Sequence, residues 1–563
     1  VAQTLSASSS LIFAGGLTAS GGVVVNNNAS TTVSGAFSAS GTGTLWVNAT
    51  SSALTLGGAT TCSTAVCNLT AENNWVIYSG ASQTISGITY RNLRLAGTGT
   101  YFNGANYTVN GDFYLDSGTF NINTAIDLTF NGSMYISSAL STVSTSGDFL
   151  ANGTVDVMSG GTLTLGGSAA NTNAFNATTT IKSGGTINFS GTSGSRTLNS
   201  LIIDAGGVWN GSANADVTIR RNIDANGTFN SGTGTYTFST NNLELRASSS
   251  LNFGGAVTVT GIAVTNYTTT TITGALSGTG TLINATNSTL YLSSTNTVTG
   301  FVATSSPNAV TYQGAAQTLK AAAYHNLILG GSGAKTMTSV GTINGDLTLS
   351  GTAAASTASS TTITGSLTVA TGTTFTAAGF GLTVNGNTFV SGTLAHSSAT
   401  GAKTYVGRVT VNSGGSWTNA GNSAITFRGG ITHNGGAFSA GTGNYLFDTN
   451  DQDISGSSTV SMASTTVTGV VLTNNANLAI TTGVSGTGQL KNGAGGILNF
   501  NFTGTPGITT LDASSTSNTV SYGASGNQTI ILPVGSTYHH LMATSTGLKT
   551  AAGGLSVNGN FDI

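Results

Sequence analysis

Charge is what this sequence has least of. Its 14 Lys and Arg and 16 Asp and Glu make up only 5% of 563 residues, against about a quarter in ordinary globular chains. With only 3 Pro and as many as 81 Gly, that composition argues against an ordinary enzyme domain. The basic residues are scattered and the net charge is −2, so no basic stripe exists to neutralise phosphates, and nucleic acid is not an expected partner. No apolar run approaches the roughly 20 residues that cross a bilayer, so no membrane span is expected. Disorder is also disfavoured: disordered chains pair low hydrophobicity with high net charge, whereas 38% of this chain is hydrophobic. The expectation is a folded, non-enzymatic chain that needs no cofactor.

Cysteine is nearly absent as well. Cys62 and Cys67 lie in Thr61-Cys62-Ser63-Thr64-Ala65-Val66-Cys67, with no nearby His to complete a metal site. We read them as a small disulfide-closed loop. The alternative, two free thiols in a cytosolic protein, fits poorly with so little Lys and Glu, and an oxidising, extracellular compartment fits better. The chain opens at Val1 without Met, as after removal of a secretory signal or after trimming, and both readings stand. Leu532-Pro533-Val534-Gly535 has neither the form nor the hydrophobic anchor of a sorting signal.

What the sequence does contain is short β-rich runs separated by Gly, Asn and Ser turns. Gly43 to Asn48 (GTLWVN), Trp75 to Tyr78 (WVIY), Tyr107 to Leu115 (YTVNGDFYL) and Asn242 to Leu245 (NLEL) are examples, and this spacing marks an all-β fold. No segment holds a 3.6-residue period over three turns, and each Gly would cost a helix about 1 kcal/mol. Almost no helix is expected.

Internal repetition decides the architecture. The stretch from Val76 to Ile85 (VIYSGASQTI) returns as Val310 to Leu319 (VTYQGAAQTL), and again as Val520-Ser521-Tyr522 followed by Gln528-Thr529-Ile530. Each copy has a matching tail: Tyr90-Arg91-Asn92-Leu93, Tyr324-His325-Asn326-Leu327 and Tyr538-His539-His540-Leu541. Beyond the tails come Val109-Asn110-Gly111-Asp112, Ile343-Asn344-Gly345-Asp346 and Val557-Asn558-Gly559-Asn560. Upstream, the Ser-Gly-Thr-Gly-x-Leu element occurs at 40–45, 277–282 and 485–490. Three super-repeats follow, residues 1–239, 240–449 and 450–563, within one continuous solenoid. Val76, Tyr78, Ile85, Leu93 and Val109 should be equivalent to Val310, Tyr312, Leu319, Leu327 and Ile343. A parallel β-helix of many short coils accommodates such units, because each coil only has to pack on its neighbours at about 4.8 Å. At roughly 20 to 27 residues per coil the chain would make about 20 to 28 coils. Propellers and tandem sandwiches need units of more equal length. The motif V-x-Y-x-G…Q-T-I…Y-x-N-L…V-N-G-D, over nearly the whole chain, resembles secreted bacterial β-helical repeat proteins of the adhesin, autotransporter-passenger and surface-fibre type. The resemblance implies surface display, adhesion or fibre formation, and carries over no catalytic residue.

Candidate sites are few. Asp448, Asn450, Asp451 and Asp453 offer hard oxygen ligands within six residues and form a candidate Ca²⁺ site, against the reading of an acidic solvated turn. Asp216, Arg220, Arg221 and Asp224 form the densest charge cluster and read as exposed strand charges that oppose edge association. His325 and His539 match Arg91 in an outward slot that tolerates polar residues. Sequons at Asn28, Asn48, Asn68, Asn106, Asn176, Asn266 and Asn284 open the possibility of surface glycans. Trp46, Trp75, Trp209 and Trp417 are candidates for stacking on sugars, against the reading of core filling. Thr-x-Thr ladders suggest ice binding only on an array of one fixed spacing, which coils of varying length should not supply. The leading expectation is a homopolymer assembling head to tail through its N- and C-terminal coils, and the alternative is a monomeric surface adhesin or carbohydrate-binding stalk.

Overall fold

The computed structural model describes residues 1–122, 126–141, 147–167 and 172–563. It is a parallel β-solenoid of about 26 turns, 52% strand. Among the described residues the one helical element is the 3₁₀ turn Val534–Ser536.

The chain divides into two units, residues 1–283 with 297–300, and residues 284–296 with 301–563. In the first, one inward column runs through Leu54, Val76, Leu93, Phe113, Met134 and Val155, each residue paired in parallel with the equivalent one a coil later. A second ladder stacks Tyr101, Phe120, Leu140, Leu163, Ile187 and Trp209 in the same way. In the second unit the corresponding columns are Val310, Leu327, Leu347 and Leu367, and Ala355, Phe375, Leu394, Trp417 and Phe438. The register step varies from 17 residues (Val76 to Leu93) to 24 (Val155 to Thr179). That variation is absorbed in the turns, because strand pairing fixes the ladder spacing at about 4.8 Å.

Three- and four-residue strands suffice because alternation sends every second side chain inward. In Phe113–Leu115 the two ends are buried and Tyr114 faces out. The run Tyr107 to Leu115 is two strands, Tyr107–Val109 and Phe113–Leu115, divided at Asn110-Gly111. The residues read as equivalent between the first two repeats are all buried, and they pair alike: Val76 with Leu93 as Val310 with Leu327, and Tyr90 with Val109 as Tyr324 with Ile343. The Ser-Gly-Thr-Gly-x-Leu element recurs for a conformational reason. Gly41, Gly278 and Gly486 hold φ of 99°, 112° and 121°, a region that side chains avoid. At Gly278 and Gly486 a Cβ would also lie 2.1 Å and 2.0 Å from the Val259 and Val467 carbonyl oxygens of the preceding coil.

Asparagine and aspartate stitch the turns of successive coils together. The Asp127 N–H donates to Asn106 Oδ1, the Asp148 N–H to Asp127 Oδ1 and the Thr172 N–H to Asp148 Oδ1, each at 3.0 Å. In the second unit the Asp346 N–H donates to Asn326 Oδ1 at 2.9 Å and the Ser366 N–H to Asp346 Oδ1 at 2.8 Å. Strand-leading N–H groups that turn geometry would orphan are satisfied in this way.

Leu347 is fully buried and Thr348 beside it faces outward. Leu347→Ala should therefore destabilise the second unit by about 2–5 kcal/mol, and Thr348→Ala by no more than about 0.5 kcal/mol. Chemical denaturation of both variants checks this, and equal effects would contradict the inward–outward assignment.

Candidate functional site: a repeated tyrosine–glutamine knot and its buried bases

The repeated motif builds the same buried polar knot three times. In the first copy the Tyr78 and Tyr90 hydroxyls lie 3.0 Å apart, the Ser86 N–H donates to Tyr78 Oη at 3.2 Å, and the Tyr90 hydroxyl donates to the Ser86 carbonyl at 2.8 Å. Tyr90 has thus committed its proton, so Tyr78 donates to Tyr90. Gln83 Nε2 donates to the Leu56 and Gly58 carbonyls of the preceding coil at 3.0 and 2.7 Å, while its Oε1 accepts from the Gly80 N–H at 2.7 Å. The second copy repeats every bond with Tyr312, Tyr324, Lys320 and Gln317. The third does so with Tyr522, Tyr538, Ile531 and Gln528. Burial raises the tyrosine pKa values, Tyr522 to about 12 and Tyr90 well above its ordinary value, so these hydroxyls act as hydrogen-bond groups and not as acids.

The residue paired with the glutamine one coil later differs between copies. Tyr101 pairs with Gln83, Lys335 with Gln317 and Lys549 with Gln528. Lys335 Nζ donates to the Gly314 and Ala315 carbonyls and, at 2.9 Å, to Gln317 Oε1. Lys549 does the same with Ala524, Gly526 and Gln528. Lys403 is held by the Phe380, Thr400 and Gly401 carbonyls at 2.8–2.9 Å, and Arg196 by those of Gly166, Gly191 and Gly194 at 2.8–3.2 Å. Among the described residues none of these four bases makes an ion pair with a carboxylate. Burial lowers the pKa of Lys335 to about 8 and also lowers those of Lys403 and Arg196. The signal for them was in the sequence: all four stand in Gly-x-Lys/Arg-Thr, at Gly194, Gly333, Gly401 and Gly547. Each of those glycines has φ between 71° and 100°; for Lys403 and Arg196 the same turn supplies carbonyls to the base, whereas Lys335 and Lys549 reach the carbonyls of a turn in the preceding coil.

The structure gives the proposed Ca²⁺ ligands other partners. Asp448 Oδ1 accepts from Arg428 Nε at 2.8 Å, and this bond lowers its pKa. Asp453 pairs with Arg408, Asp451 Oδ1 accepts from the Val471 N–H at 2.7 Å, and Asn450 Nδ2 donates to the Arg428 carbonyl at 3.2 Å. The oxygens face separate partners on neighbouring coils and do not converge. Among the described residues no three His, Cys, Asp or Glu are arranged to hold a metal ion. The cluster at 216–224 is likewise dispersed: Asp216 caps the Thr235 N–H, Arg220 reaches Asn176, and Asp224 accepts from Asn226.

Cys62 and Cys67 are joined as a disulfide. Of the sequons, Asn48, Asn266 and Asn284 are fully buried, where a glycan has no room, and Asn28, Asn68, Asn106 and Asn176 are exposed. Trp46, Trp209 and Trp417 are core residues. Trp75 is half-buried and lies 5.5 Å from outward-facing Tyr114, which stacks on Tyr135 at 4.5 Å beside Arg94. Arg91, His325 and His539 are half-buried in all three copies. No protein-family model matches the chain, and no curated protein is significantly similar to it.

Two predictions follow from these buried groups. Lys335→Met removes the ammonium donor from two backbone carbonyls and leaves Gln317 Oε1 with the Gly314 N–H alone, and should lower the local stability of the surrounding coils by about 1–3 kcal/mol. Amide hydrogen exchange between Gly314 and Met337 reads this, and unchanged protection would refute it. His396 is buried, with Nδ1–H donating to the Thr418 carbonyl at 3.1 Å and Nε2 accepting from the Tyr405 hydroxyl at 2.7 Å. Burial holds its pKa down to about 4, against about 6.5 unfolded. The neutral ring's contribution is complete above pH 6.5 and is lost as pH falls toward 4, on the order of 3 kcal/mol. His396→Gln should flatten that part of the stability–pH curve.

Proposed function

We propose that this protein is an extracellular, non-enzymatic structural subunit whose solenoid builds a cell-surface filament, sheath or coat by head-to-tail assembly. One observation carries the reading: most of the ionisable and amide side chains described above are engaged in structural bonds within a turn or from one coil to the next. Basic residues are held by turn carbonyls or by carboxylates, aspartates and asparagines cap strand N–H groups, and tyrosines and glutamines form the repeated knots. A site for chemistry needs such groups convergent and available. Parallel ladders also favour end-to-end growth, because each coil templates pairing for another. Such a contact is heterologous and need not close. The Cys62–Cys67 disulfide fits an oxidising compartment, and the exposed Asn28, Asn68, Asn106 and Asn176 are the places where surface glycans would attach.

A second reading, a monomeric adhesin or carbohydrate-binding stalk, is favoured by the outward strip of Trp75, Tyr114 and Tyr135 beside Arg94. Electron microscopy of the purified protein over a range of concentrations separates the two. Linear polymers lengthening with concentration are expected. Single particles at every concentration, with glycan binding lost in Trp75→Ala, would replace the first reading with the second.

A further inference from the structure

We infer that the protein also associates side by side, through an uncharged threonine–asparagine face of its first unit packing on the same face of a second copy. This adds a lateral contact to the assembly proposed above and rests on that reading only for its biological setting. The face is formed by the strands Thr162–Leu165, Thr186–Phe189, Val208–Asn210, Thr228–Asn230, Ser250–Phe253 and Thr269–Ile272. Its outward positions form two columns, exemplified by Thr186, Val208 and Thr228 in one and Asn188, Asn210 and Asn230 in the other, in parallel register. Asn210 Nδ2 donates to Asn188 Oδ1 at 3.1 Å and Asn230 Nδ2 to Asn210 Oδ1 at 3.2 Å, so the amides are fixed before any partner arrives. No outward position on these six strands is Lys, Arg, Asp or Glu. The charges of this stretch lie on the other ladder and its turns, as in Lys182–Asp204 and Glu244–Arg246.

Coils of unequal length do not disturb this array, since backbone pairing sets its repeat at about 4.8 Å along the columns and roughly 6.6 Å between them. Small and β-branched side chains on such a lattice interdigitate best with a surface of equal repeat, and another copy of this ladder supplies one. Without an outward Trp, Tyr or Arg, the face lacks the anchors that usually carry binding to an unrelated protein. Six strands about 10–13 Å wide bury on the order of 700 Å² between two copies, short of the roughly 1,200 Å² of a standard interface. One such contact is therefore weak. The second unit carries a comparable uncharged face, with Ala354 and Ser356, Thr374 and Thr376, and Ser416 and Thr418 outward on paired strands. Each such face is a weak site by itself, and association through it is expected at high local concentration.

Sedimentation of the whole chain from micromolar to submillimolar concentration, at low and high salt, tests the inference. Reversible association little affected by salt is expected, as for an uncharged contact. Thr186→Lys with Asn230→Lys should lower the association constant by more than about tenfold, while Thr237→Lys on the other ladder should leave it unchanged, with circular dichroism confirming the fold in each. A monomeric wild-type chain across the range, equal weakening by Thr237→Lys, or thermal hysteresis by a monomer, which would assign the face to ice, overturns it. Microscopy keeps the two assembly contacts apart: unbundled filaments defeat the lateral contact alone, and salt-insensitive pairs without filaments defeat the head-to-tail contact alone.

Discussion

In-register stacking of parallel strands is the constraint from which the rest of this structure follows. With the coil-to-coil distance fixed near 4.8 Å by backbone hydrogen bonds, every inward residue sits on its equivalent in the next coil. Leu327, Leu347 and Leu367 need no partner more elaborate than one another. A three-residue strand, marginal in an ordinary sheet, is held here from both sides. The same constraint explains why so few charges suffice: like charges would otherwise stack on each other, and the outward column containing Asp156, Asp224 and Arg246 places Thr180 and Ile202 between its acidic members.

Stacking solves the strands but leaves the turns with unpaired N–H and carbonyl groups, and there the polar residues act. Asn and Asp accept from strand-leading N–H groups one coil on, and buried Lys and Arg donate to turn carbonyls. A buried cation without a carboxylate is normally costly. Here several carbonyl dipoles surround each one, from its own turn for Lys403 and Arg196 and from a turn of the preceding coil for Lys335 and Lys549. The tyrosine–glutamine knots serve the same end, two of them in coils of only 17 residues.

Much of this was legible in the sequence. The inward column was visible because Val76, Tyr78 and Leu93 recur as Val310, Tyr312 and Leu327, and alternation over short runs separated by glycine leaves little choice of fold. The Cys62–Cys67 loop was legible from spacing. The acidic run at 448–453 was misleading because proximity in sequence is not convergence in space: the run crosses a turn into the strand Gln452–Ser455, and Arg428 and Arg408, one and two coils earlier in the chain, take up two of the carboxylates. Burial of the sequons at Asn48, Asn266 and Asn284 was equally invisible, since the same amide suits an interior ladder or an exposed turn.

Periodicity and composition by themselves determined that the chain is all-β, repetitive and coiled, because these follow from local alternation and from which residues tolerate tight turns. Tertiary structure alone decided which polar groups meet. The partners of Arg196 lie two to 30 residues away, those of Lys335 lie 18 to 21, and the carbonyls that accept from the Gln83 amide lie 25 and 27, set by how much chain each coil uses before returning to register. That length varies from coil to coil, and only the closed stack fixes it.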